Sequence, residues 1–176
     1  MAKIISAHHH ETEQEKAREY VKTFILFPAG LLGLIFMVAG SAAMLYQFFT
    51  SSYTWQTFLE STGLLALGGV LGWGQTKYHR YLLAAHPDHF ASRMRGHARP
   101  GQKKPRKEAP SSSVAHPGRR YVPLAYLGGA LLLLGAATAT SIAGHTYALA
   151  AFFLPWAGFF WAKMFFWRGV LPEMRR

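Results

Sequence analysis

A few ionisable residues lie inside or beside long apolar segments, and they are the first candidates for chemistry. Glu60 is the only acidic residue within segments 23–75 and 121–168. Because charge is costly in lipid, an intramembrane carboxylate often has a function, and Glu60 is a candidate proton or ion site. Its predicted place near the outer edge of the membrane, where water reaches it, favours a simpler structural role. Lys163, near the inner edge, can extend its amine to the interface.

Histidine matters because axial ligation of haem or chlorophyll is the main cofactor chemistry open to a membrane helix without cysteine. His79 and His145 are predicted on opposite sides of the membrane, so they cannot ligate one haem together. Each is a candidate single ligand for a pigment. His86 and His89 flank Asp88, but the intervening proline prevents a shared helical face, so we predict no metal site there.

The last apolar segment is dominated by aromatic side chains. Between Phe152 and Trp167, nine of sixteen residues are aromatic, and they cover all sides of a helix. Lipid contact and packing against a neighbouring helix explain most of them. Trp156 and Trp161 are also candidates for contact with a flat cofactor (chlorophyll, carotenoid or quinone) or with another subunit.

Pairs of small residues spaced four apart predict where helices approach closely, because association in lipid depends on close packing. Such pairs indicate a contact without naming its partner, which can lie in this chain or in another. The predicted helix-packing residues are Gly68, Gly72, Ala39, Ala43, Gly135 and Ala139.

Two apolar hairpins and one basic loop organise these residues. Residues 1–22 are predicted as a cytoplasmic segment with a short helix, 23–75 as a first transmembrane hairpin, and 76–120 as a basic loop rich in Pro and Ser. Residues 121–168 form the second hairpin, and 169–176 a cytoplasmic tail. A cleaved signal peptide is the rival interpretation of the first span; we expect that span to stay. The predicted fold class is an all-α membrane protein with four transmembrane helices.

The positive charge is distributed on one side of the predicted membrane. All nineteen Lys and Arg fall in the entry segment, the region from Lys77 to Arg120, or the end from Lys163, and the short turns carry none. The positive-inside rule therefore places both termini and the loop in the cytoplasm. We expect a multi-pass protein of a bacterial inner membrane. The strongest basic strip is a predicted contact for a partner or for anionic lipid: Arg93, Arg95, Arg99, Lys103, Lys104, Arg106 and Lys107.

Function follows mainly by elimination. The chain has no cysteine, which excludes disulfides, thiolate metal sites and thiol catalysis. It lacks an HExxH motif, a Gly-rich phosphate loop and a paired intramembrane carboxylate, so we predict that it is not an enzyme. The tethered basic loop has no nucleic-acid-binding fold, so nucleic acid is not an expected partner.

The leading hypothesis is a non-catalytic accessory subunit of a larger membrane complex, in respiratory or photosynthetic electron transport. Its expected partners are other membrane subunits and lipids, including anionic lipids. One alternative is a small oligomeric channel or carrier that uses Glu60. Another is a pigment- or haem-binding subunit, with chlorophyll, carotenoid or quinone bound at its periphery.

Overall fold

The computed structural model describes residues 15–50, 52–85, 90 and 121–168, and within these ranges the chain is helical apart from short turns. Helix α1 spans Glu15–Phe49, α2 spans Trp55–Ala85, α3 spans Val122–Ala143 and α4 spans Ala148–Arg168. Helices α1, α3 and α4 are long and apolar enough to cross a membrane. The all-helical class is thus confirmed, together with three membrane-compatible helices.

Helix α1 is one continuous helix in which the entry segment and the first predicted span merge. It contains a π-helical stretch, Val21–Leu26, where the N–H of Phe27 bonds to the carbonyl of Lys22, five residues earlier. Pro28 follows directly. Proline lacks an N–H and its ring crowds the carbonyl four residues before it, so a wider turn at this point relieves both problems. At 1.5 Å per residue, α1 is about 52 Å long, well beyond a hydrocarbon core of about 30 Å.

Helix α2 is long but less apolar than the other three. It has 31 residues, ten more than α4, yet it does not reach the hydropathy typical of a membrane span. Charged residues of α2, Glu60, Lys77 and Arg80, lower its hydropathy, and so does its buried face, which carries Thr57, Ser61, Thr76 and the glycines Gly68 and Gly72. Small and weakly polar residues lower hydropathy, but these side chains meet other helices instead of lipid.

Helix α4 is the centre of the bundle. It packs extensively on α2 and α1 and less on α3, whereas residues 27–49 of α1 barely touch α2. On α4, Pro155 and Phe159 meet α2, while Leu154 and Phe160 meet α1. At 3.6 residues per turn these contacts lie on largely opposite faces of α4. Beyond the start of α1, the two helices of the first predicted hairpin are therefore joined in sequence but separated in packing.

The two ends of the bundle are built from different residues. Near the start of α1, Ala17 and Val21 pack with Leu82, Leu83, Phe90 and Trp167 into one apolar cluster. Near the other end, Ala43 and Leu64 pack against Ala150, Ala151 and Leu154. The start of α1 and the ends of α2 and α4 thus meet at one end, and the short turns meet at the other. We call these the basic end and the turn end.

Candidate functional site

The carboxylate of Glu60 lies in a polar cluster at the turn end. Its Oε1 lies 3.0 Å from His145 Nδ1, and its Oε2 accepts a hydrogen bond of 2.6 Å from Thr146 Oγ1. The Glu60 side chain is 22% exposed and that of His145 is 40% exposed. Both carboxylate oxygens therefore bind the turn between α3 and α4, so Glu60 fastens α2 to that turn.

Two further polar side chains hold the backbone of the same turn. Gln47 Nε2 donates to the carbonyl of His145 at 2.5 Å, and Gln47 Oε1 accepts from the N–H of Tyr147 at 3.0 Å. Thr57 Oγ1 donates to the His145 carbonyl at 2.7 Å. The chain can turn here because Gly144 takes a left-handed conformation at φ 79°, which glycine adopts without steric cost. The turn is consequently bonded to α1 and to α2 at once.

These hydrogen bonds give the polar side chains of the turn end a structural role, because they bind the α3–α4 turn to α1 and α2. Backbone amides in or near lipid must find partners within the protein, because water is scarce there. Gln47, Thr57 and Glu60 supply those partners. Over residues 15–50, 52–85, 90 and 121–168, no group of three or more metal-ligating side chains comes together.

His79 lies far from the turn end. It is nineteen residues after Glu60 on α2, which places it about 28 Å along the helix axis, at the basic end. Its Nε2 lies 3.0 Å from the Tyr126 hydroxyl of α3, and the Gln75 side chain lies close to the same hydroxyl. The two histidines are thus held apart, each by partners of its own.

Trp156 lines a pocket between α2, α3 and α4, which we call the inner pocket. Its volume is about 570 Å³, and the Gln75 and Tyr126 side chains lie at its wall. Most of the lining is apolar or small. The other lining residues are Val70, Leu71, Trp73, Gly74, Tyr78, Val122, Ala125, Gly129, Ala130, Leu133 and Phe159.

Trp161 lines a different pocket, between α1 and α4, with a volume of about 630 Å³. Its side chain is 50% exposed, and its ring stacks on Phe165 at 5.7 Å between centroids. The four residues predicted to contact a cofactor therefore occupy separate places. His145 is at the turn end, Trp161 lies beside α1, and only His79 and Trp156 lie near or on the inner pocket.

The predicted helix-packing residues also divide into groups. A Cβ added at Gly68 would overlap the carbonyl oxygen of Pro155, and one at Gly72 would overlap that of Phe159, so α2 and α4 touch through their backbones. On α4, a Cβ at Gly158 would overlap the carbonyl oxygen of Leu65. Residue numbers in α2 and α4 increase together along this contact, from Gly68 with Pro155 to Gly72 with Phe159. The two helices therefore run in the same direction.

On α1 and α3 the small residues lie differently. Ala43 is buried and Ala39 only partly so, while Gly33 and Gly40 complete the buried face of α1. Gly135 of α3 has no atom of the described residues within 4 Å of a built Cβ, and Ala139 is exposed. The strip from Arg93 to Lys107, with His86 and His89, lies outside the described residues.

Lys163 lies on α4 beside aromatic rings. Its Nζ is 5.2 Å from the centroid of the Phe159 ring and 5.9 Å from that of Phe160. Such an arrangement stabilises a cation through the negative faces of the rings. The amine is therefore bound to its own helix at this position.

Two amide side chains, Gln47 at the turn end and Gln75 at the inner pocket, were not predicted as site residues. Gln47 and Gln75 are uncharged polar residues in or next to apolar segments, where a polar side chain alone does not indicate a contact with another helix. The available signal was chemical: a buried amide needs two kinds of hydrogen-bond partner, and its own helix rarely supplies both. Tyr126 and Gly158 carried no distinguishing pattern.

Comparison with family models finds no match for this chain, and comparisons with curated proteins and with solved structures find no significant similarity.

Proposed function

We propose that this protein is a non-catalytic accessory subunit of a larger integral membrane complex, with a role in respiratory or photosynthetic electron transport. Its partners would be helices of other membrane subunits, together with lipids. The observation that carries the proposal is an uncovered helix-packing face on α3, which has the kind of surface that membrane helices use to bind one another.

Helix α3 buries little of itself within this chain. Only Leu133 and Ala137 are buried along its length. Gly128, Gly135 and Ala139 fall within about 40° of one another around the helix, on the side away from those two residues. No atom of the described residues lies within 4 Å of a Cβ built at either glycine. We call this row of three the outer face of α3.

A row of small residues is useful in lipid because it lets a second helix approach closely and gain van der Waals contact. Packing against smooth lipid chains does not require it. The α2–α4 crossing shows that this chain uses glycine rows for close contact, since Gly68 and Gly72 meet the α4 backbone. The outer face of α3 offers the same kind of surface to a helix of another subunit.

For the topology we propose four membrane crossings, with both termini and the basic loop in the cytoplasm of a bacterial cell. Among the described positions, the Lys and Arg residues lie at the basic end or on the adjacent final turns, and the turn end has none. Helix α2 would be the fourth span, with its weakly polar face covered by α4. Cysteine accessibility measured on Ser52→Cys and Arg80→Cys variants tests this orientation, because only the first is expected to react from outside the cell.

The test of function is the size of the assembly after mild extraction from the native membrane. We expect the chain to migrate in a large complex and to co-purify with other membrane subunits. Gly135→Leu fills the outer face of α3 and should release the chain from that complex. Leu127→Ile, on an exposed side of α3 away from that row, is the matched control and should leave the complex intact. A monomeric parent chain in native mass spectrometry would refute the proposal.

A further inference from the structure

The pocket beside Trp161 is a groove that runs along the outside of the bundle, and we call it the α1–α4 groove. One wall is a stripe of α1 from Lys22 to Met37, and the other is formed by Phe160, Trp161 and Met164 of α4. Its volume is about 630 Å³. Both helices are apolar and long enough to cross a membrane, so the groove lies where lipid chains surround the protein.

The α1–α4 groove is about as long as one leaflet of a bilayer is thick. Lys22 and Met37 are fifteen residues apart on α1, which is about 22 Å along the helix axis. Half of a hydrocarbon core is about 15 Å thick, and the headgroup layer on each side adds about 5–8 Å. Lys22 lies towards the basic end, so the groove extends from the headgroup layer at that end to the middle of the membrane.

The lining of the groove suits a flexible chain better than a second helix. Its glycines are already covered by α4: a Cβ built at Gly30 lies 3.4 Å from Met164 Sδ, and one at Gly33 lies 3.3 Å from Phe160 Cβ. The exposed apolar residues of the α1 wall are bulky: Phe27, Leu31 and Leu34. The groove therefore offers no row of small residues to another helix, whereas its unbranched methionine side chains can adapt to an acyl chain.

A single cation lies at the mouth of this apolar groove. Lys22 is exposed, and among the described lining residues it is the only charged one. Its amine has no ion pair or hydrogen bond with another residue that the structure describes, not even with Glu19 one turn earlier. Lysine and arginine near a membrane surface attract anionic headgroups. The groove thus combines an apolar channel of leaflet length with a positive charge at the headgroup level.

We propose that the α1–α4 groove binds one anionic phospholipid from the leaflet at the basic end. The phosphate accepts a hydrogen bond from the Lys22 amine, and one acyl chain lies between α1 and α4 as far as Met37. Trp161 is half exposed and forms part of the wall beside that chain.

Other lipophilic molecules match the groove less well. A zwitterionic phospholipid has the same chains, but its headgroup carries a cation that offsets the phosphate and is repelled by Lys22. A quinone or a carotene would fill the apolar space and bring no anion for the amine. This inference goes beyond the accessory role proposed above and does not depend on it, because the groove lies within a single chain.

The test uses Trp161 as a reporter of an acyl chain in the groove. The purified full-length chain is reconstituted in dioleoyl phosphatidylcholine vesicles that contain a phospholipid with brominated chains, either phosphatidylglycerol or phosphatidylcholine. Bromine quenches tryptophan fluorescence on contact, and the difference between the parent chain and Trp161→Phe isolates the Trp161 signal. We expect phosphatidylglycerol to quench Trp161 at about a fivefold lower mole fraction than phosphatidylcholine, which corresponds to about 1 kcal/mol for one lysine at the surface.

Two charge variants make the test specific, each combined with Trp161→Phe for the subtraction. Lys22→Gln should remove the preference for phosphatidylglycerol. Lys16→Gln is the matched control, because Lys16 is an exposed lysine of the same helix that does not line the groove, and the preference should persist. Equal quenching by the two lipids in the parent chain would overturn the proposal. So would an unchanged preference in Lys22→Gln, or equal losses in both variants, which would indicate only a general attraction of the lipid to the basic end.

Discussion

The small-residue pairs of α2 and α3 have opposite surroundings. Gly68 and Gly72 of α2 meet the carbonyl oxygens of Pro155 and Phe159. On α3, no atom of the described residues lies within 4 Å of a Cβ built at Gly135, and Ala139 is exposed. The spacing is the same in both. A pair of small residues four apart therefore shows where a second helix can pack closely. Which helix packs there depends on residues elsewhere in the sequence.

The surface of α4 that contacts α2 has a composition that allows close approach. Pro155 and Gly158 belong to the same stretch of α4, and Gly158 in turn meets the carbonyl of Leu65. Glycine on both helices lets the two backbones approach until little side-chain volume remains between them. No second glycine row in the described residues faces α3 in this manner, so its outer face stays available.

The substitution that should break this contrast most strongly is Gly72→Leu. The new side chain would collide with the backbone of Phe159, which cannot rotate away, so we expect a loss of about 3 kcal/mol or more, the upper end for overpacking. Reversible SDS unfolding of the purified chain, followed by circular dichroism, measures it. Gly63→Leu is the control, since nothing lies within 4 Å of a Cβ at Gly63. Equal losses in both variants would contradict a close α2–α4 contact.

A smaller loss should follow from Glu60→Ala, which releases α2 from the α3–α4 turn. His145 and Thr146 lose their carboxylate partner, and we expect a cost of about 1–2 kcal/mol because water reaches part of the site. Glu60→Gln keeps one acceptor oxygen and should cost less. The same SDS titration ranks the variants by their loss of unfolding free energy. A larger loss for Glu60→Ala than for Gly72→Leu would show that the polar contacts of Glu60 stabilise the bundle more than the α2–α4 packing does.

Lys163→Met should have a still smaller effect. It removes the cation that lies above the Phe159 ring while keeping an apolar stem of similar length. Lys163 is partly buried, and a cation–aromatic pair at such a site contributes about 1 kcal/mol. Lys163→Arg retains a cation and should behave as the parent chain does. A large loss in the methionine variant, measured in the same titration, would mean that the amine has a partner other than these rings.

The smallest effect on the isolated chain is expected for Gly135→Leu. Its new side chain enters open space, so unfolding should change by no more than about 0.5 kcal/mol. The same substitution should remove the chain from its larger assembly. A large loss of stability in the isolated protein would show that the outer face of α3 is already covered from within, and the contrast with α2 would disappear.

Much of the helical structure could be predicted because its signals are local. The second hairpin was expected over residues 121–168, and α3 (Val122–Ala143) and α4 (Ala148–Arg168) lie within that range. Gly144 ends α3 by a left-handed turn. The start of α1 was less evident, since the polar entry and the apolar span form one helix across the π-helical stretch.

The packing could not be predicted in the same way, because it depends on residues far apart in sequence. Short turns suggested that neighbours in sequence would pack as pairs, yet α1 and α2 both pack on α4. Glu60 and His145 were each expected near the outer edge, and their contact at 3.0 Å could have been inferred from that shared depth. Gln75 and Tyr126 could not, since their proximity depends on how far α3 stands from α2.

The parallel course of α2 and α4 has a consequence for synthesis. Domains of a growing chain fold from the N-terminus as they emerge, but Gly68 and Gly72 meet their partners only when α4, the final helix, has been made. Between them the ribosome must deliver the basic loop and α3. Residues 27–49 of α1 therefore have little contact with α2 until α4 is made, and a chain truncated before Pro155 would lack the helix that joins them.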